Sequence, residues 1–208
     1  MNETSHNDRP SGLVDLPMRV KLKDGRECVI RTMTEDDATQ LCEILPRTHA
    51  ESDCLNYLPG EFDKTVEQER TFIREHNAKP RSLSMVVEVD GRIVAYGGAA
   101  GDQRRRFHHH AEFGLCVVQA FWRQGLGRVL TEYAVEWGRR LGLRKLYLKV
   151  FADNTKAIAL YRSAGFIEEA RLPGDYQRAD GTYGDTIIMA KVYADWTGMR
   201  TTPGRQTP

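Results

Sequence analysis

No stretch of this sequence approaches the ~20 consecutive apolar residues that a membrane-spanning helix needs, and Met1 to Ser11 lack the apolar centre of a secretory signal. No membrane partner is expected. Cysteine is scarce: Cys28, Cys42, Cys54 and Cys116 are spaced too irregularly for paired zinc ligands, and nothing suggests a disulfide scaffold. Reduced thiols in a cytoplasm are the simpler reading. Net charge is almost lacking too, since 30 basic and 29 acidic residues are interleaved and leave +1. Bulk electrostatics therefore point to no nucleic acid, and any choice of partner must be local. Internal repeats and low-complexity tracts are also lacking. What remains is a chain of 208 residues, 40 % of them apolar, which suits one domain with a sizeable core. The expected organisation is a flexible arm over residues 1–17, a single domain over 18–196 and a loose polar tail over 197–208.

Short-range signals divide that domain into elements. Arg19 to Leu22 and Cys28 to Arg31 read as two arms about Asp24-Gly25, or the second as the first long strand of the core. Thr34-Glu-Asp-Asp37 resembles a capping box, and Ala38, Leu41, Cys42 and Leu45 follow at helical spacing to about Pro46. Arg47 to Asp63 is a loop or broken helix rich in acids and aromatics. A second helix capped by Asp63 or Thr65 ends before Pro80. Leu83 to Val89 and Ile93 to Ala99 flank Asp90-Gly91, a hairpin signal. Asp102 to His110 is a charged loop. Lys145 to Phe151 alternates as a strand, and Asn154 opens a helix that Gly165 closes. Phe166 to Ala170 and Thr186 to Val192 are strands separated by a Gly/Asp/Tyr-rich loop.

The stretch Cys116 to Glu132 organises the rest. The apolar run Phe113 to Val118 reads as a buried strand, Gly125-Leu-Gly127 as a turn that follows at once, and Val129, Leu130, Tyr133, Ala134 and Trp137 as one helix face. Glycines let a backbone approach a ligand, and the first N–H groups of a helix are unpaired at the positive end of its dipole. Such a turn holds phosphate.

Two pieces in this order, Arg123-Gln-Gly-Leu-Gly-Arg128 and Asn154-Thr-Lys-Ala-Ile-Ala-Leu-Tyr-Arg-Ser-Ala-Gly-Phe166, give the chain a family resemblance from about Val29 to Val192. It resembles the GNAT-superfamily N-acyltransferases. The resemblance implies an α/β fold, a mixed and mostly antiparallel twisted sheet flanked by helices, with a parallel strand pair at the coenzyme site. It also implies direct transfer of an acetyl group from acetyl-CoA, as co-substrate and without a metal, to a small-molecule or peptide amine. Backbone N–H groups of Arg123, Gln124, Gly125, Leu126, Gly127 and Arg128 would hold the diphosphate. The strand edge at Cys116, Val117 and Val118 would pair with the pantetheine arm, and Asn154 would bond to it. Tyr161 would be the general acid towards the departing sulfur, with Glu112 the candidate base. Where the family commonly carries Gln or Arg three residues before the first glycine, this chain has Trp122. A homodimer is allowed.

Each residue also has a plainer reading. Tyr161 could be a core tyrosine, Asn154 a helix N-cap, Glu112 a carboxylate on a solvated face, and Cys116 ordinary packing with no histidine near it in sequence. His108-His-His110 lies beside arginines that repel cations, which favours a solvated loop over a metal site. A dinucleotide-binding oxidoreductase is disfavoured because Leu130 replaces its third glycine and antiparallel strands precede the turn. A nucleic-acid module resting on Arg104 to His110 has one short basic loop behind it. A non-catalytic acyl-CoA-binding protein on the same fold is the remaining alternative.

Overall fold

The computed structural model describes residues 16–193, so the expected arm, apart from its last two residues, and the whole tail lie outside it. One eight-stranded sheet runs in the order β1-β2-β3-β4-β5-β6-β8-β7. Its strands are β1 (Met18–Lys21), β2 (Glu27–Thr32), β3 (Ser82–Val89), β4 (Arg92–Gly101), β5 (His110–Val117), β6 (Lys145–Phe151), β7 (Ile167–Gln177) and β8 (Tyr183–Val192). Every neighbouring pair is antiparallel except β5 and β6. The helices are α1 (Ala38–Ala50), α2 (Val66–Ala78), α3 (Leu126–Arg140) and α4 (Thr155–Ser163).

Alternation along the strands divides the core in two. Ala111, Phe113, Leu146 and Leu148 turn to the side where α3 contributes Leu126, Leu130, Ala134 and Trp137 and α4 contributes Ile158 and Tyr161. Val86 and Ile93 turn to the other side, under Leu41 and Leu45 of α1 and Ile73 of α2. The open choice at the N-terminus resolves as both: β2 closes a hairpin with β1 and also pairs with β3. Asp90 and Gly91 both take positive φ, 50° and 74°, as a tight hairpin turn requires. Thr65 caps α2, accepting the Gln68 N–H while Gln68 returns the contact. Thr34 and Asp37 form the expected box over a short 3-10 turn, and Asp37 also takes both arms of the Arg31 guanidinium at 2.8 and 2.7 Å.

Three boundaries differ from the sequence reading. Helix α1 passes Pro46 and continues to Ala50, because one missing N–H is a smaller loss than exposing Thr48 and His49, both buried beyond it. The turn after β5 does not follow at once, since a 3-10 segment (Gln119–Phe121) intervenes before α3. The segment expected as a loop, Arg171 to Asp185, is mostly the far end of a hairpin, with β7 reaching Gln177 and β8 starting at Tyr183. Phe166, expected to open β7, is a buried residue just before it. That hairpin was hidden because β7 is exposed along nearly its whole length, so no alternation of apolar residues marks it.

Candidate active site

The parallel strands β5 and β6 pair over only three residue pairs, His110 with Lys145, Ala111 with Leu146 and Glu112 with Tyr147. Beyond Glu112 they diverge: β5 stays paired with β4 and β6 with β8, leaving a gap between them. Which backbone groups face it follows from the antiparallel ladder. Val118 donates its N–H to the Val94 carbonyl at 2.9 Å while its own carbonyl accepts the Phe121 N–H at 2.9 Å, so the Val118 N–H and, two residues back, the backbone groups of Cys116 are directed to β4. Val117 and Leu115 direct theirs into the gap. Of the stretch Cys116 to Val118, then, Val117 alone offers the open edge, a correction imposed by the two-residue period of a strand.

Helix α3 starts at one end of this gap. Its first intrahelical bond runs from the Val129 N–H to the Gly125 carbonyl, at 3.1 Å. The N–H groups of Leu126, Gly127 and Arg128 have no protein acceptor among the described residues, which is what an anion at a helix N-terminus needs. Gly125 has φ 97°, and an added Cβ would meet no atom within 4 Å, so conformation dictates this glycine. Gly127 has a different reason: its Cβ would stand 3.1 Å from the Leu160 side chain, so it lets α3 and α4 approach. Arg123 also takes a left-handed φ, 65°, without being glycine. The Gln124 side chain is occupied in accepting the Asp24 N–H at 3.1 Å, and Arg26 lies over the Phe121 ring at 4.3 Å. The turn is thus tied to the β1–β2 hairpin.

Tyr161 rises from α4 into the same region. It is buried, packs against Phe166, and its hydroxyl has no hydrogen-bond partner among the described residues. Burial pushes its phenol up to about 12, with the Cys116 thiol adding to the shift, so it is fully protonated at neutral pH. Burial likewise raises the Cys116 thiol, which the hydroxyls of Thr48 and Tyr96 contact. That rules against a reactive thiolate and agrees with packing. Asn154 caps α4, its Oδ1 accepting the Ala157 N–H at 3.2 Å. Glu112 stands at the last paired position before the gap, exposed, and accepts a 3.1 Å hydrogen bond from the Tyr147 hydroxyl.

Two further segments contact the ends of β5 and β6. Glu51, at the end of α1, accepts the Gln119 N–H at 2.8 Å, and burial raises the Cys54 thiol pKa, with the Asp153 carboxylate adding to the shift. From the β7–β8 hairpin, the Tyr176 ring stacks on Phe151 at 3.7 Å, and its hydroxyl donates to Asp153 at 2.8 Å. Arg178 reaches the same carboxylate at 3.0 Å. Neither Asp153, Tyr176 nor Arg178 was singled out from the sequence, because a bond between residues 23 to 25 apart leaves no local pattern. His108 and His109 lie in a loop and His110 opens β5. No group of three or more His, Cys, Asp or Glu is placed to hold a metal among the described residues.

A gap between diverging parallel strands, with a helix N-terminus at one end and a buried phenol beside it, can be compared with known proteins. The profile of the "Acetyltransferase (GNAT) family" matches residues 47–166, more than half of the chain. The chain belongs to the GNAT family. Among curated members, it is 42 % identical over 78 residues to the [ribosomal protein bS18]-alanine N-acetyltransferase of Escherichia coli, a match spanning 38 % of this chain and 52 % of that one. The chain thus spans about half the length of the first curated relatives it matches. It is 34 % identical over 122 residues to the enzyme of that name from Salmonella typhimurium, covering 59 % of this chain and 78 % of the relative. A GNAT-family acetyltransferase from Streptococcus pneumoniae superposes with a TM-score of 0.76 at 26 % identity, covering 80 % and 99 % of the two chains. The GNAT fold, with its mostly antiparallel sheet and single parallel pair, is as the sequence suggested.

Proposed function

We propose that this GNAT protein is an N-acetyltransferase that moves the acetyl group of acetyl-CoA directly to a primary amine. The observation that carries the proposal is the divergence of β5 from β6 between an open helix N-terminus and the unpartnered Tyr161 hydroxyl. The residues fit the coenzyme: three free N–H groups suit its diphosphate, and the Val117 edge suits an amide-bearing arm. When bound, the coenzyme supplies an acetyl thioester. The chain's own groups then have four tasks. Leu126, Gly127 and Arg128 anchor the anion through their N–H groups. The Val117 N–H faces the gap and polarises the carbonyl there. Glu112, directly or through water, removes a proton from the amine as the new C–N bond forms. Tyr161 gives its proton to the sulfur as the C–S bond breaks, easing departure of a thiol whose own pKa is about 8.5.

The relatives named above act on the alanine of a ribosomal protein, while others are named for L-amino acids and for spermidine, at 31 % and 28 % identity. An acceptor from these classes, a peptide N-terminus or a small amine, is the one we assign. We further read the protein as cytoplasmic, supported by four free cysteines. No helix among the described residues is long and apolar enough to cross a membrane.

The test combines calorimetry and turnover. Coenzyme A should bind the wild type, and Gly125→Val should lose at least tenfold in affinity while remaining folded, since a β-branched residue does not tolerate φ 97° and the backbone must leave its place. Thiol release from acetyl-CoA across a panel of amines should identify an acceptor. Coenzyme binding without turnover on any amine would favour the non-catalytic alternative, and unaltered affinity in folded Gly125→Val would remove the diphosphate from this turn.

A further inference from the structure

Trp122 donates its indole N–H to the Val117 carbonyl at 2.7 Å. This is the one carbonyl of the stretch Cys116 to Val118 that the strand period turns into the gap. The contact is built, not incidental. The Trp122 backbone N–H closes the 3-10 turn on the Gln119 carbonyl at 3.0 Å, and the left-handed Arg123 reverses the chain immediately afterwards. Both features hold the indole back against β5 between the end of the strand and the start of α3. The residue is nonetheless 39 % exposed, which leaves the side chain a route into solvent.

We infer that Trp122 is an affinity-setting residue of the coenzyme site: it caps the Val117 carbonyl in the free protein, and the pantetheine arm competes with it for that acceptor. The inference rests on the coenzyme reading above. An arm that runs from a diphosphate at α3 into the gap passes Val117, and its secondary amides need a carbonyl acceptor there. One lone-pair direction of that carbonyl is already taken by a strong donor. Coenzyme binding therefore exchanges one hydrogen bond for another and returns the indole to water. A net hydrogen bond is worth about 1 kcal/mol, so the cap weakens coenzyme binding by roughly three- to tenfold. The penalty falls on the arm alone. A ligand that keeps the nucleotide and diphosphate but lacks the arm leaves the cap in place.

That asymmetry gives the test. Calorimetry compares coenzyme A with adenosine 3′-phosphate 5′-diphosphate, on wild type and on Trp122→Phe, which keeps a ring and removes the N–H. Coenzyme A should bind the variant three- to tenfold tighter than wild type, and the truncated nucleotide equally to both. On the wild type alone, the Trp122 indole N–H proton signal should move upfield and exchange faster with coenzyme A and should hold its position with the truncated nucleotide. This second measurement needs no variant. Equal or weaker coenzyme A binding by folded Trp122→Phe, or an indole N–H that stays bonded in the coenzyme A complex, overturns the inference. If neither ligand binds wild type, the coenzyme reading fails and the inference with it. If both bind and only the asymmetry is missing, the coenzyme reading stands and the gating role of Trp122 does not.

Discussion

A phenol held protonated beside a gap has two measurable consequences at Tyr161. As general acid it should lose roughly 10²-fold in kcat when only its oxygen is removed in Tyr161→Phe, with coenzyme affinity and fold nearly unchanged. A purely packing tyrosine would leave kcat alone and lower the melting temperature instead, so both are measured on one preparation. Its titration gives a second signature. The folded pKa, about 12, lies above the unfolded value near 10, so its contribution to stability is complete below pH 10 and is lost as pH rises towards 12. Tyr161→Phe should flatten that part of the alkaline unfolding curve. Asp37 titrates with the opposite sign. Burial acts to raise its pKa, but Arg31 and the Thr34 N–H outweigh burial and leave it lowered. Its stabilisation is present above the unfolded carboxylate value and fades as pH falls through the lowered one. Asp37→Asn should remove part of the acid-induced loss and lower stability at neutral pH by roughly 2 kcal/mol, since half-buried Arg31 then keeps Glu88 as its ion-pair partner among the described residues, with the Thr32 carbonyl beside it.

Glycines decide geometry at the level of elements, and each does so for its own reason. Gly184 on β8 lies under the Tyr176 side chain, where an added Cβ would clash with two ring carbons and the hydroxyl oxygen. The ring is also stacked on Phe151 and held at its hydroxyl by Asp153, so moving it away breaks both contacts. Gly184→Ala should therefore expel Tyr176, loosen the end of the β7–β8 hairpin and increase proteolytic cutting between residues 172 and 184, with the sheet otherwise intact. Unchanged cleavage and an unchanged Tyr176 ring environment by NMR would contradict this. Helix α1 gives the complementary lesson. Pro46 reads as a stop, yet the helix persists to Ala50 because Thr48 and His49 are buried and both bond to the Leu45 carbonyl, at 2.9 and 2.7 Å.

Across the whole molecule, the α1–α2 segment and the β7–β8 hairpin, far apart in the chain, reach the segments that follow β5 and β6, through Glu51 on Gln119 and Tyr176 on Asp153. The first carries Glu61 and Asp63 beside Tyr57, Phe62 and His49, whose rings meet at 5.3 to 5.8 Å. Carboxylates and ring faces both attract cations. Initial-rate measurements should favour cationic or aromatic amines over anionic ones, and Glu61→Gln with Asp63→Asn should narrow that preference by raising KM for the cationic acceptors. A preference for acidic acceptors that ignores both substitutions would dissociate this segment from the acceptor.

The sequence by itself determined the local framework: the Asp90-Gly91 hairpin, the β6 strand from Lys145 to Phe151, the Asn154 cap, and a glycine turn with an open helix N-terminus. These depend on neighbours within a few residues, where conformational preference and apolar period are written directly into the chain. Tertiary structure alone decided the rest. That β5 and β6 part after Glu112 depends on which strand each one pairs with elsewhere. Whether Cys116 or Val117 faces the gap depends on the ladder to β4, since moving that register by one residue would exchange them. Trp122 reads in sequence as an absent Gln or Arg, and only in three dimensions does it become a donor on Val117. Hydrogen bonds between groups distant in sequence carry no period, so residues such as Asp153, Tyr176 and Arg178 become one unit only when the chain has folded.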